Sequence, residues 1–232
     1  MKLETLPDLE SLARHAAGII AAEARAVVAA RGRFLLALSG GSTPRPMLRW
    51  LAREDVPWAQ VELFQVDERV APPGDPDRNL TRLEADLLAR VALPRVGFHP
   101  MPVEEADLAA AAARYARELR EVAGTPAVLD LVHLGLGDDG HTASLVPGDP
   151  ALDVAGADVA VTGPYRGRRR MTLTFPALDR ARTALWLVAG AGKREALARL
   201  RSGDRSIPAG RVNAERALVL TDAAAAGPPA GA

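Results

Sequence analysis

Val128-Leu129-Asp130-Leu131-Val132-His133-Leu134, followed at once by Gly135-Leu136-Gly137-Asp138-Asp139-Gly140-His141-Thr142-Ala143-Ser144, decides how this chain is read. The first part is short, apolar and partly β-branched, which predicts a buried strand over 128–134. The second is a glycine-rich turn that carries His141 past the strand's C-terminal end. In open parallel α/β sheets that edge is where ligands bind. An imidazole, with an ordinary pKa near ~6.5, can move protons at neutral pH, so His141 is a candidate general base. The same residues also fit a plainer role, a tight turn in which His141 caps the segment that follows.

Working outward, helix-period stretches at 8–31, 44–53, 79–90, 105–123 and 192–201 alternate with apolar runs at 33–38, 61–66, 157–162, 170–174, 183–189 and 216–221. That alternation predicts an α/β fold with a mostly parallel central sheet covered by helices on both faces. No Pro/Gly/Ser-rich linker divides the interior and no repeat is present, so one domain over residues 1–232 is expected. Residues 223–232 read as a helix turn that ends in a frayed tail.

Composition narrows the classes. Lysine and arginine together number 29, as do aspartate and glutamate, so the formal net charge is zero. Broad attraction to nucleic acid or membrane is not expected, and any preference for an anion must come from local placement. No obligate protein partner is implied. Only Lys2 and Lys193 are lysines, which singles out Lys193 in the interior of the sequence. The absence of cysteine removes disulfides, zinc thiolates and thiol nucleophiles and fits a reducing compartment. The N-terminus lacks an apolar signal-type region, and the apolar stretch at 16–30 is broken by Glu23 and Arg25. The expectation is a cytoplasmic protein.

Two further glycine turns follow apolar runs. After Phe34-Leu35-Leu36-Ala37-Leu38 comes Ser39-Gly40-Gly41-Ser42-Thr43-Pro44 and a helical stretch. Gly40 and Gly41 let backbone amides approach an anion, Ser42 and Thr43 add hydroxyls, and Pro44 suits a first helical turn. Thr43 serving as an ordinary N-cap explains the same letters. Neither the Walker nor the dinucleotide glycine pattern is present. The second turn, Ala189-Gly190-Ala191-Gly192-Lys193, puts a cation at a helix start, against the helix dipole, which favours a nearby anion.

Taken in order, Leu38 to Pro44, Val66-Asp67-Glu68-Arg69-Val70, Asp77-Arg78-Asn79, Gly135 to Pro147, Arg170-Met171-Thr172-Leu173-Thr174 and Gly190 to Lys193 resemble the 6-phosphogluconolactonase family over about residues 8–222. One departure is visible: Arg78 stands where the family usually has serine. The resemblance implies a Rossmann-like three-layer α/β/α sandwich and hydrolysis of 6-phospho-D-glucono-1,5-lactone in the oxidative pentose phosphate pathway. It implies neither metal nor cofactor. Carried over by position, Gly40, Gly41, Ser42, Thr43 and Lys193 would hold phosphate, with Asn79 also at the site. Arg170 would be a further phosphate contact, with Arg168 and Arg169 as neighbouring competitors. Arg69 would orient the sugar or meet charge on the lactone oxygen, and Asp67 would hold a sugar hydroxyl or His141.

A lactone is an activated ester, so a positioned water, a base and an oxyanion donor suffice. The sequence has no Gly-x-Ser-x-Gly elbow and no His-Glu-x-x-His pair. Asp138 and Asp139, beside one histidine without further spaced ligands, read as turn or hydrogen-bonding residues rather than metal ligands. His15, His99 and His133 read as helix-surface, loop and strand histidines. Two rival functions remain. A glucosamine-6-phosphate deaminase or isomerase resembles the chain up to the Gly-His step and then uses a carboxylate a few positions on, whereas Thr142 to Pro147 contains none. A non-catalytic sugar-phosphate sensor would keep the phosphate loop without needing a base, but such sensors act through an attached DNA-binding module, for which a core starting near residue 8 leaves no room.

Overall fold

A computed structural model describes residues 1–228. In chain order its elements are β1 (Lys2–Leu6), α1 (Leu9–Arg31), β2 (Phe34–Leu38), α2 (Pro44–Leu51), β3 (Val61–Gln65), β4 (Asp67–Arg69), α3 (Asn79–Asp86) and β5 (Phe98–His99). Then come α4 (Leu108–Ala123), β6 (Leu131–Gly135), β7 (Val159–Val161), β8 (Arg170–Leu173), α5 (Phe175–Asp179), β9 (Thr183–Val188), α6 (Arg194–Arg201), β10 (Ala217–Asp222) and α7 (Ala223–Ala226). The last of these matches the helix turn expected at the start of 223–232. The tail expected beyond it lies, over 229–232, outside the described residues.

Seven strands form one sheet in the order β1-β10-β9-β6-β2-β3-β5, and every pairing in it is parallel. Period-2 alternation sends side chains to two cores. In β2, Leu35 and Ala37 face a core completed by α4 and α6, while Phe34, Leu36 and Leu38 face one completed by α1 and α2. Both faces are therefore buried, which is why β2 reads as an unbroken apolar run, and the architecture is the expected three-layer α/β/α sandwich. Asp8 fixes the start of α1 by accepting from Ser11 N at 2.7 Å. Gly32, in the left-handed region at φ 79°, closes its end.

Strands β4, β8 and β7 form a separate antiparallel sheet, so the parallel arrangement holds for the central sheet alone. Four elements depart from the sequence expectation in kind: β1, β4, β5 and α5 were not foreseen. The run at 128–134 becomes a strand only from Leu131, because Asp130 turns aside to serve the start of β2. The helix over 79–90 stops at Asp86 and continues as a 3₁₀ turn over Leu88–Arg90.

The strand order places the candidate site. From β2 the chain winds through β3 and β5 toward one edge, and from β6 through β9 and β10 toward the other. The loops leaving β2 and β6 thus diverge at a topological switch point, where an open α/β sheet leaves a crevice beyond its carboxyl ends.

Candidate active site

That crevice is a cleft of about 180 Å³, lined by the loop after β2, the loop after β6, β4, β8 and the start of α6. It is smaller than the roughly 300–1,000 Å³ of drug-sized pockets, which suits a small polar ligand. His141, Asp67, Arg69, Gly40, Gly41, Ser42, Thr43, Asn79, Arg170 and Lys193 all line it.

In the loop after β2, Thr43 has helical backbone angles and makes no side-chain capping bond, so the simple N-cap role fails. Among the described residues, none of the amides of Gly40 to Thr43 donates to a protein acceptor. They form a row of available donors beside the cleft. Gly40 is there for space: a Cβ on it would sit 1.9 Å from Asn79 Oδ1. Asn79 in turn is pinned by donating from Nδ2 to the Asp67 carbonyl at 2.9 Å. Its position depends on Glu68, a fully buried carboxyl group that accepts from Arg69 N, Asn79 N, Leu80 N and Gln65 Nε2 at 2.7–3.0 Å. Arg78 completes this hub with Nε 3.2 Å from Glu68 Oε2 and a bond to Glu104. The departure at position 78 is therefore a buried anchor and not a cleft residue.

In the loop after β6, Gly140 N donates to Gly137 O at 3.1 Å and Gly137 N to His141 O at 2.8 Å, which folds His141 back over Gly137. A Cβ on Gly137 would lie 2.1 Å from His141 Nδ1, so only glycine fits. Asp139 Oδ1 lies 2.6 Å from His141 Nδ1 and also accepts from His141 N at 3.1 Å. Burial pushes the Asp139 carboxyl up, but bonds and charge from His141, with the Tyr165 hydroxyl, win and hold it below the ordinary carboxylate range. An ionised carboxylate can only accept, so Nδ1 carries the proton and Nε2 is left as the basic nitrogen.

Asp67 therefore does not hold His141. It accepts instead from Ser144 Oγ at 2.6 Å and from Asn79. The partner of His141 is Asp139, which the sequence offered as a turn or hydrogen-bonding residue without naming its partner.

The second sheet brings two cations face to face. Arg69 and Arg170 are direct partners across β4 and β8, a placement in which like charges repel. Burial lowers the Arg170 pKa and nearby Asp67 offsets this, with Arg69 adding to the depression; the ordinary value is so high that the guanidinium stays charged. Nε of Arg69 and of Arg170 are buried without a protein acceptor. Buried donors of like charge, side by side in a cleft, are what an anionic ligand would relieve. Of the neighbours, Arg168 is tied to Asp75 and Asp77 at 2.9 and 3.1 Å, and Arg169 is exposed.

Lys193 is the residue preceding α6, and its Nζ lies 2.9 Å from Asp138 Oδ1. The anion that its position called for is, within the protein, Asp138, whose carboxyl it holds low. Arg166 and Tyr165, from the turn joining β7 to β8, were missed. Arg166 lines the cleft, and the Tyr165 hydroxyl donates to Asp139 Oδ2 at 2.9 Å. The available signal was a Tyr-Arg-Gly turn holding one of only two tyrosines. His99 corrects another expectation: it lies in β5, buried and stacked on Phe64, not in a loop. Among the described residues no cluster of three or more His, Asp or Glu could hold a metal ion, and no helix is long and apolar enough to cross a membrane.

Comparison with known proteins places this geometry. The family described as "Glucosamine-6-phosphate isomerases/6-phosphogluconolactonase" matches residues 7–220. A 6-phosphogluconolactonase of Nostoc is 36% identical over 231 residues, covering 96% of each chain. One of Mycobacterium tuberculosis is 39% identical over 238 aligned positions, covering 97% of this chain and 96% of the relative. The crystal structure of 6-phosphogluconolactonase from Thermotoga maritima superposes with a TM-score of 0.86 at 26% identity, covering 95% of this chain and 98% of that one. With a match of this length and a switch-point cleft lined by the family's motifs, the chain belongs to the glucosamine-6-phosphate isomerase/6-phosphogluconolactonase family.

Proposed function

We propose that this protein hydrolyses 6-phospho-D-glucono-1,5-lactone to 6-phospho-D-gluconate, as a cytoplasmic single-domain enzyme of the oxidative pentose phosphate pathway. The observation that carries the reading is one cleft lined by the histidine of a His–Asp pair, two opposed arginines and a loop of available amides. The names of the full-length relatives support it.

In this reading the phosphate lies on the Gly40 to Thr43 amides and on Lys193, which exchanges Asp138 for the stronger anion. Asn79 and Asp67 hold sugar hydroxyls. His141 Nε2 takes a proton from water as its oxygen attacks C1, and Arg69 and Arg170 face the developing oxyanion. Collapse of the tetrahedral intermediate breaks the bond from C1 to the ring oxygen, and His141 returns the proton to that oxygen. The ring opens to a carboxylic acid, which ionises in water. No covalent intermediate, metal or cofactor is needed for so activated an ester.

The deaminase alternative asks for a carboxylate shortly after the histidine. The first one here is Asp149, which accepts from Ala151 N and Gly163 N at 2.8 and 2.9 Å and does not line the cleft. A sensor would gain nothing from the His–Asp pair. The test is to add purified protein to freshly generated lactone and follow product with a coupled dehydrogenase. Product formation well above the spontaneous rate is expected; no acceleration would overturn the reading.

A further inference from the structure

The turn between β7 and β8 points one side chain at both halves of the cleft. Tyr165 donates its hydroxyl to Asp139 Oδ2 at 2.9 Å, the oxygen that His141 leaves free. Its ring meets the His141 ring edge to face, with centroids 5.4 Å apart and planes at 65°. The Arg170 guanidinium lies 4.9 Å from the same ring, and that of Arg166 5.3 Å. The turn is tightly built: Tyr165 N donates to Arg168 O at 2.9 Å, and Arg166 takes a left-handed φ of 51°.

We propose that Tyr165 is the positioning residue of this site, clamping the Asp139 carboxylate against His141 while its ring seats Arg170 beside the pair. The inference deepens the reading of the cleft given above and rests on it. A carboxylate gripped through one oxygen turns freely about its last torsion, since that torsion has no sharp minima. Gripped through both, it stays in the plane that keeps Nδ1 as the donor. An orienting partner of this kind fixes the tautomer of a working histidine. Were Asp139 to swing away, Nε2 would carry the proton for part of the time, and in that form it cannot accept one from water. The negative face of the phenol ring meanwhile gives the guanidinium of Arg170 a resting place that costs none of its donors.

The test compares Tyr165→Phe, which keeps the ring, with Tyr165→Leu, which does not. The chain has four histidines, so the imidazole ¹⁵N signals of His141 can be assigned by difference from His141→Gln. In the wild type the neutral His141 imidazole should give a single Nδ1–H tautomer. Tyr165→Phe should populate the Nε2–H tautomer and lower kcat about threefold to tenfold, the worth of one hydrogen bond, with KM unchanged. Tyr165→Leu should add a rise in KM as Arg170 loses its seat. An unchanged tautomer and full kcat in Tyr165→Phe would overturn the clamp, as would losses in both variants that only track thermal stability. The tautomer is read without substrate. A wild type inert to the lactone sinks the proposed reaction, whereas an active wild type with an unshifted tautomer in the variant sinks the clamp.

Discussion

The two ends of the central sheet use the same residue types to opposite effect. At the end where the strands begin, Asp130 is enclosed: it accepts from Leu35 N at 2.9 Å and from the Arg31 guanidinium, with Arg182 at 3.4 Å. Asp158, just before β7 of the second sheet, is bracketed in the same way by Arg120 and Arg180. Beyond the end where the strands finish, Arg69 and Arg170 of the second sheet stand opposite each other with Nε atoms unpartnered, and the amides of Gly40 to Thr43 have no protein acceptor among the described residues. Charge satisfied within the fold stabilises it. Charge left unsatisfied at the switch point costs stability, and the proposed reaction would give it a ligand to meet.

The largest expected effect tests whether the finishing end is where the chemistry lies. His141→Ala should lower kcat by about 10²–10⁴ and leave product affinity nearly unchanged, since general-base contributions are of that order. Asp139→Asn should act in the same direction, because an amide can donate to Nδ1 and stabilise the wrong tautomer. Steady-state kinetics with the coupled assay decide it. Near wild-type turnover in a folded His141→Ala protein would remove the base from the mechanism.

Next in size is a group midway between the ends. His133, on β6, is wholly buried, and burial pushes its pKa down from the ordinary 6.5 to about 4. Its neutral form is therefore favoured in the folded state, while the unfolded chain takes up the proton near pH 6.5. Stability from this group is complete above that pH, falls as the pH drops, and levels off near 4. The drop comes to about 3 kcal/mol. Urea titrations of wild type and His133→Leu between pH 7 and 4 should diverge by that much, and parallel curves would refute it.

What the sequence displayed and what it concealed divide along the same line. Strands buried on both faces, such as β2 and β9, appear as continuous apolar runs because nothing else can occupy them. β4 has no such run, because Asp67, Glu68 and Arg69 are there to bond and to face the cleft. β5 is two residues long, and β1 is a half-exposed edge. The glycine turns were legible since backbone geometry demands them. The pairing of His141 with Asp139 rather than Asp67 was not, since a Gly-Asp-Asp-Gly turn has the same letters whichever carboxylate turns inward. Tyr165 reaches Asp139 from 26 residues away, so no local pattern announces it. Three consecutive arginines were sorted only by register: Arg170 falls opposite Arg69, and Arg168 falls to Asp75 and Asp77.

The third effect sharpens the finishing end further. Lys193→Ala should weaken binding of the substrate and of the product's phosphate together, by about 1.5–3 kcal/mol for a charge-assisted bond. That is about 10- to 150-fold in affinity. The Lys193–Asp138 pair it breaks is open to solvent on the Asp138 side and contributes little to folding, so thermal stability should barely move. Inhibition by 6-phosphogluconate should lose most of its advantage over inhibition by gluconate. An undiminished preference would transfer the phosphate to Arg170 or Arg166.

The smallest effect is the counterpart at the beginning end, where Asp130→Asn should cost stability and leave the chemistry alone. The substitution keeps the shape, so one side-chain oxygen still accepts from Leu35 N, and what disappears is the charge between Arg31 and Arg182. Both arginines are well exposed, so water and salt screen much of the pair, and the loss should be about 1 kcal/mol. For a chain of this size that lowers Tm by about 2–4 °C, a shift that raising the salt should shrink. Neither kcat nor KM at a temperature well below the transition should change, because the cleft lies past the other end of the strands and shares no hydrogen bond with Asp130. A fall in kcat/KM without a fall in Tm would mean that the two ends are coupled through β2 and β6, and the division of labour between them would fail.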